Sequence, residues 1–185
     1  MFIQTEITPN PASLKFLPGR VVMEKDTVDF RKVEDAENSL LAQNLFKIEG
    51  VEGVFFGSDF ISVTKNESID WQVLKPSILG AIVDHFESDA PIIDKIKNTE
   101  NNTTNVKDSE IVVQIKELLD TRVRPAVAMD GGDITFGDFK DGIVFLHMKG
   151  ACSGCPSSTA TLKAGIENML KHYLPEVQGV ESVAD

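Results

Sequence analysis

Two periods alternate along the chain, one of two residues and one near 3.6, and their order predicts the elements. FIQTEI, opening at Phe2, alternates as a strand and is broken by the prolines of TPNP. SLKFL, from Ser13, alternates again before the Pro18-Gly19 turn. SLLAQNLFKI sets Leu41, Leu45, Phe46 and Ile48 along one helical face, with Ser39 as its N-cap. GVFFG and FISVTK read as short strands joined at Gly57-Ser58-Asp59, a hairpin signal. In DWQVLKPSILGAIVDHF the stripe is Trp71, Leu74, Ile78, Ile82 and Phe86. Pro76 falls early in that stripe, where it either kinks the helix or moves its start.

After a polar interval the pattern resumes. Ile111, Ile115, Leu118 and Leu119 form an i, i+4, i+7, i+8 face, and Pro125 is expected to stop that helix. Strands are expected over 133–139 and 143–149, joined by the Asp141-Gly142 turn. Pro156 occupies what reads as a first helical position. The helix it opens carries Leu162, Ile166, Met169, Leu170 and Tyr173 on one face and ends before Pro175. VQGVESV is a last short strand.

The resulting fold class is α+β: two small α/β sandwich-type domains, the first with an antiparallel sheet, the second in the order α-β-β-α-β. Between them, residues 98–108 are rich in Asn and Thr and hold one Val and no aromatic. Such a tract buries too little to offset its ordering entropy. The expected division is therefore a first domain over 1–87, a flexible linker over 88–108, and a second domain over 109–185.

Composition narrows the partners. A formal charge of −11 among 185 residues, spread along the chain, disfavours a nucleic-acid backbone or an anionic membrane, since both need a basic face. No apolar run approaches a spanning helix. MFIQTEITPN lacks the basic start and apolar stretch of a secretory signal and the Arg-rich character of a transit peptide, so the chain is expected to act where it is made or after removal of a leader.

Candidate chemistry centres on KGACSGCPSST, which holds both cysteines of the chain, Cys152 and Cys155. They lie between a strand end and a helix start, where free backbone N–H groups and the helix dipole favour thiolate over thiol. Ser153 and Gly154 are small enough for an inorganic ligand to approach, and Gly150 lets the backbone turn. Three chemistries use such a pair. A thiol–disulfide couple of the thioredoxin type sits at a similar place, but after a βαβ opening that is lacking here. A structural zinc site needs four Cys or His ligands, and one chain offers only His85, His147 and His172 besides the cysteines. His147, in the strand before the cysteines, and His172, late in the following helix, are more simply read without a metal. An iron–sulfur site takes four thiolates. Two cysteines per chain then leave either an incomplete shell or a second copy across a two-fold axis, the latter an exposed and separable arrangement suited to a cluster that is given away.

RPAVAMDGGDI followed by GACSGCPSS, within the string from ELLDTRV to IENML, resembles the NifU-like C-terminal domain of the Nfu family of iron–sulfur proteins. IQTEITPNPASLKFLPG, GVFFGSDFISVTK and DWQVLKP look like that family's N-terminal domain. The resemblance implies a non-enzymatic scaffold and carrier that binds a 4Fe–4S cluster shared between two protomers. Cys152 and Cys155 would be the iron ligands, the chain would be a homodimer on cluster binding, and the partners would be an upstream cluster-assembly scaffold and recipient apoproteins chosen with help from the first domain. It also implies a bacterial cytoplasm or, in mature form, a mitochondrial matrix. Other residues have plainer readings: Asp130-Gly131-Gly132-Asp133 as a glycine turn feeding a strand, Lys149 and Lys163 as solvated cations, Trp71 and Phe86 as core.

Overall fold

The computed structural model describes residues 1–94, 109–154 and 156–183, without the side chains of 156–158. The chain forms two compact units, Met1–Glu100 and Asn101–Asp185. Most of the expected linker, and Cys155, lie outside the described residues.

In the first unit, strands β1 (Gln4–Ile7), β2 (Ser13–Leu17), β3 (Val28–Phe30), β4 (Val51–Phe56) and β5 (Ile61–Lys65) form one antiparallel sheet in the order β1-β2-β5-β4-β3. The period-two pattern puts Leu14, Phe16, Ile61, Val63, Val54 and Phe56 into the first core. Helices α1 (Leu40–Phe46) and α2 (Trp71–Glu87) add Leu41, Leu45, Leu74, Ile78 and Ile82. Ser39 caps α1 as expected, accepting from the Ala42 N–H at 3.2 Å. Its hydroxyl also donates to the Ile92 carbonyl at 2.6 Å. Ile92 and Ile93 pack against this core, so the packing of the unit runs past residue 87. Pro76 sits inside α2 and does not move its start, which is Trp71. The cost there is the one bond that its missing N–H would have made to the Gln72 carbonyl.

The second unit begins with α3 (Glu110–Leu118), a π turn (Leu119–Val123) and α4 (Arg124–Met129), a continuous helical path. Pro125 therefore does not stop the helix. It lies in the first turn of α4, where a missing N–H costs least. Ile115, Leu119, Val123 and Val127 are all buried, each four residues after the last. In a regular helix four residues overshoot a turn by about 40°, so such a row drifts off one face. The π turn, closed by the Arg124 N–H on the Leu119 carbonyl, takes up that drift and keeps all four inward.

Strands β6 (Gly132–Lys140) and β7 (Ile143–Gly150) pair antiparallel, and β8 (Gly179–Val183) joins β7 in parallel. Asp141 and Gly142 take φ of 52° and 78°, the mirror-image turn that twists with the hairpin. Helix α5 (Pro156–Tyr173) makes the crossover from β7 to β8 and buries Ile166 and Leu170 in the second core. Tyr173 is turned outward, against expectation, with Arg122 4.9 Å over its ring; Leu174, four residues after Leu170, takes the inward place. The outer edge of β8 is partly closed by Glu167, whose carboxylate accepts the Val180 N–H at 3.2 Å.

Trp71 is the single tryptophan and belongs to the first unit, so its fluorescence reports that unit alone. Truncating the fully buried Phe56 to Ala should lower the unfolding free energy read there by about 3–5 kcal/mol. A loss under about 1 kcal/mol in urea titrations would show that the Phe30–Phe56 edge-to-face pair is not part of a close-packed core.

Candidate functional site

The cysteine loop leaves β7 at Gly150 and reaches α5 at Pro156. Gly150 and Gly154 take φ of 63° and 83°, left-handed values that would strain other residues. Between them the Ser153 N–H and hydroxyl both donate to the Gly150 carbonyl, at 3.1 and 3.0 Å. The Thr159 hydroxyl, from the first turns of α5, donates to the Cys152 carbonyl at 3.0 Å. The Ala151 N–H bonds the Gly131 carbonyl at 3.2 Å, tying the loop to the turn before β6.

That turn is the Asp130–Asp133 segment. Gly131 has φ of 80°, and Gly132 opens β6 opposite Gly150. A Cβ on Gly132 would lie 2.5 Å from the Cys152 Sγ and 2.7 Å from the Lys149 carbonyl oxygen. The second glycine thus gives up its side chain to make room for the sulfur. Asp133 is buried, and Arg124 from α4 holds it with a two-point fork: Nε to Oδ1 at 2.9 Å and Nη2 to Oδ2 at 2.9 Å. Its Oδ1 also accepts the Ile134 N–H at 2.8 Å. The glycine-turn reading of this motif holds, with an ion pair added that the sequence reading did not anticipate.

Cys152 is 6% exposed and belongs to the second core. Burial, and then the negative charges of Asp130 and Asp133, push its thiol up to about 12. The expectation that the strand-to-helix position favours thiolate fails for this residue, because burial and two neighbouring carboxylates favour the neutral thiol. Cys155 lies outside the described residues.

The other candidates are dispersed. His85 is buried in the first unit, and desolvation lowers its pKa against a weaker opposing effect of the Ala90 backbone. His147 lies on β7 beside the bulge at Gly137, and His172 packs edge-on to Tyr173 near the end of α5. Among the described residues no three of His, Cys, Asp and Glu come together as a metal-holding group. Lys163 is not simply solvated but pairs with Glu181 at 2.7 Å, and Lys149 stands opposite Asp133 in the β6–β7 ladder. Trp71 packs on the first core and donates from Nε1 to the Pro11 carbonyl at 3.1 Å; Phe86 packs there too. Among the described residues no helix is long and apolar enough to cross a membrane.

Known proteins match both units. The family model described as scaffold protein Nfu/NifU N terminal covers residues 3–89, and the NifU-like domain model covers 115–181. The NFU1 iron-sulfur cluster scaffold homolog, mitochondrial, of Homo sapiens is 54% identical over 186 residues, spanning all of this chain and 73% of its own length. NifU-like protein 4, mitochondrial, of Arabidopsis thaliana is 52% identical over 189 residues, spanning all of this chain and 67% of its own. The solution structure of a NifU-like protein from Saccharomyces cerevisiae aligns over 51% of this chain and 86% of its own, with 26% identity and a TM-score of 0.47.

Two outcomes follow from the geometry. In metal-free protein carrying Cys155→Ser, alkylation of Cys152 should climb about tenfold per pH unit from neutrality until it nears pH 12. A plateau near pH 8–9, the ordinary thiol range, would contradict the buried position. Because the folded thiol holds its proton more tightly than the unfolded one, its stabilising contribution is complete below about pH 9 and is lost as pH rises toward 12. Second, Gly132→Ala should raise the alkylation rate at neutral pH by roughly an order of magnitude, since neither the sulfur nor a backbone carbonyl can accept the new carbon without moving. Gly165→Ala on α5, where nothing lies within 4 Å, should leave that rate unchanged.

Proposed function

The chain belongs to the Nfu/NifU scaffold family, and from that premise we propose that it is a non-catalytic scaffold that receives an iron–sulfur cluster and passes it to apoproteins. The observation that carries this reading is the cysteine loop itself. A thiol from a strand-to-helix turn rests over a strand-opening glycine, in a chain with only one further cysteine, three residues on. Four thiolates for a 4Fe–4S cluster come from Cys152 and Cys155 of two copies of the chain, facing across a two-fold axis.

The cargo is acquired only when thiol protons leave. Cys152, held as a thiol when metal-free, must give up its proton to solvent as iron takes its place on the sulfur. Loading therefore releases protons, and acid favours release of the cluster. Recipient thiolates then displace the donor cysteines one at a time, so that at each exchange one iron–sulfur bond forms as another breaks and the cluster's oxidation state is unchanged. The vacated cysteine takes up a proton and returns toward the second core. The first unit serves recipient choice, and the upstream donor is another assembly scaffold.

The raised thiol pKa also weighs against a thiol–disulfide oxidoreductase, whose attacking cysteine needs a depressed one. Both relatives described above are named as mitochondrial proteins, which supports the mitochondrial matrix over the bacterial cytoplasm as this chain's compartment.

Anaerobic incubation with ferrous iron and sulfide should give the broad visible absorbance of a thiolate-bound cluster. Either Cys152→Ser or Cys155→Ser should abolish it, and an apo-ferredoxin with vacant cysteines should gain the absorbance that the donor loses. If Cys152→Ser loads as well as the parent, the reading fails.

A further inference from the structure

Arg124 lies 28 positions before the first cysteine, yet the fold brings its guanidinium to the strand that carries Cys152's resting place. The contacts form a chain. Arg124 grips both oxygens of Asp133; Asp133 follows Gly132 in β6; the Cys152 Sγ occupies the space of the absent Gly132 side chain. One turn earlier, Asp120 accepts a third bond from Arg124, at Nη1 and 3.2 Å, in an exposed i, i+4 pair. The guanidinium so held stays charged, its pKa raised first of all by the bond to Asp133.

The helix is deformed just where this arrangement is made. The π turn over Leu119–Val123 closes at Arg124, whose N–H bonds the Leu119 carbonyl. The turn contains Asp120 and the buried Val123 and ends at Arg124, the residue that holds Asp133. Without it, keeping the Ile115–Val127 row inward and Arg124 aimed at β6 would be conflicting demands on a regular helix.

We propose that Arg124 is a positioning residue for the cysteine loop: by clamping Asp133 it holds Gly132 beneath Cys152 and balances a buried carboxylate beside the place where an anionic thiolate-bound cluster is carried. The inference rests on the cluster-carrier reading for its second half only; the clamp acts in the metal-free protein as well. Removing the guanidinium leaves Asp133 buried without its two charge-assisted bonds, and a carboxylate in that position draws its strand toward water. The first residues of β6 then loosen, and the thiol above them loses its seat. Lysine keeps the charge but cannot make the fork, so it restores only part of the effect.

The test is made on the full chain with two readouts. In the metal-free Cys155→Ser protein, Arg124→Gln should speed alkylation of Cys152 at fixed neutral pH by about tenfold. Arg124→Lys should fall between, and Arg124→Gln with Asp133→Asn should return most of the protection by removing the charge that seeks water. Amide hydrogen exchange should quicken in peptides covering 130–135 and 150–154 and stay unchanged in those covering 143–147 and 179–183. Equal quickening in all of them marks Arg124 as a general stabiliser and overturns the proposal, as does an alkylation rate within twofold of the parent. In cysteine-intact protein loaded with iron and sulfide, loss of the visible absorbance to a chelator should be faster in Arg124→Gln and largely restored in the Arg124→Gln/Asp133→Asn variant. A parent that fails to load defeats the carrier reading while the metal-free readouts still decide the clamp.

Discussion

The sulfur of Cys152 and the backbone of Gly132 compete for one small volume, and the second unit is arranged so that the sulfur wins. A methyl group at position 132 would meet both the sulfur and the Lys149 carbonyl. The pairing of Gly132 with Gly150 across the β6–β7 ladder means that neither strand presents a side chain there. The turn before β6, the loop after β7 and the start of α5 are then tied together by the Ala151–Gly131 and Thr159–Cys152 bonds. The loop is thus fastened on three sides, and the thiol points into apolar surroundings.

This seating sets a tension between storage and chemistry. A buried thiol flanked by carboxylates resists ionisation, so Cys152 in the metal-free chain is chemically quiet. A carrier benefits from such quiet, because an idle exposed thiolate is open to oxidation and to opportunistic metals. Ligation as proposed would require the opposite state, a thiolate, with iron supplying the free energy that drives off the proton. On this view, burial sets how readily the cluster leaves as well as how safely the thiol waits.

Much of this was legible in the chain. Leu74, Ile78 and Ile82 announced α2, the Asp141-Gly142 turn announced the second hairpin, and Ser39 announced its cap, since each is a local signal whose mechanism lies within a few residues. β3 went unread because three residues, Val28–Phe30, are too few to show a period. Pro125 misled because proline stops a helix or begins one, and only the π turn before it decides which. The cysteines stood out in the sequence as a candidate site, and the family resemblance named the cargo proposed for it. The burial of Cys152 was not, since it depends on a glycine twenty positions earlier in a paired strand. The fork from Arg124 to Asp133 joins residues nine apart on a helix and a strand, and no single period links them.

In the proposed assembly one chain holds half a site and a second copy supplies the rest. Native mass spectrometry of the anaerobically loaded protein should therefore show a species of two chains carrying about four irons and four sulfides, falling apart to single chains when the cluster is chelated. A single chain carrying the whole cluster, or one zinc per chain with no iron, would contradict it.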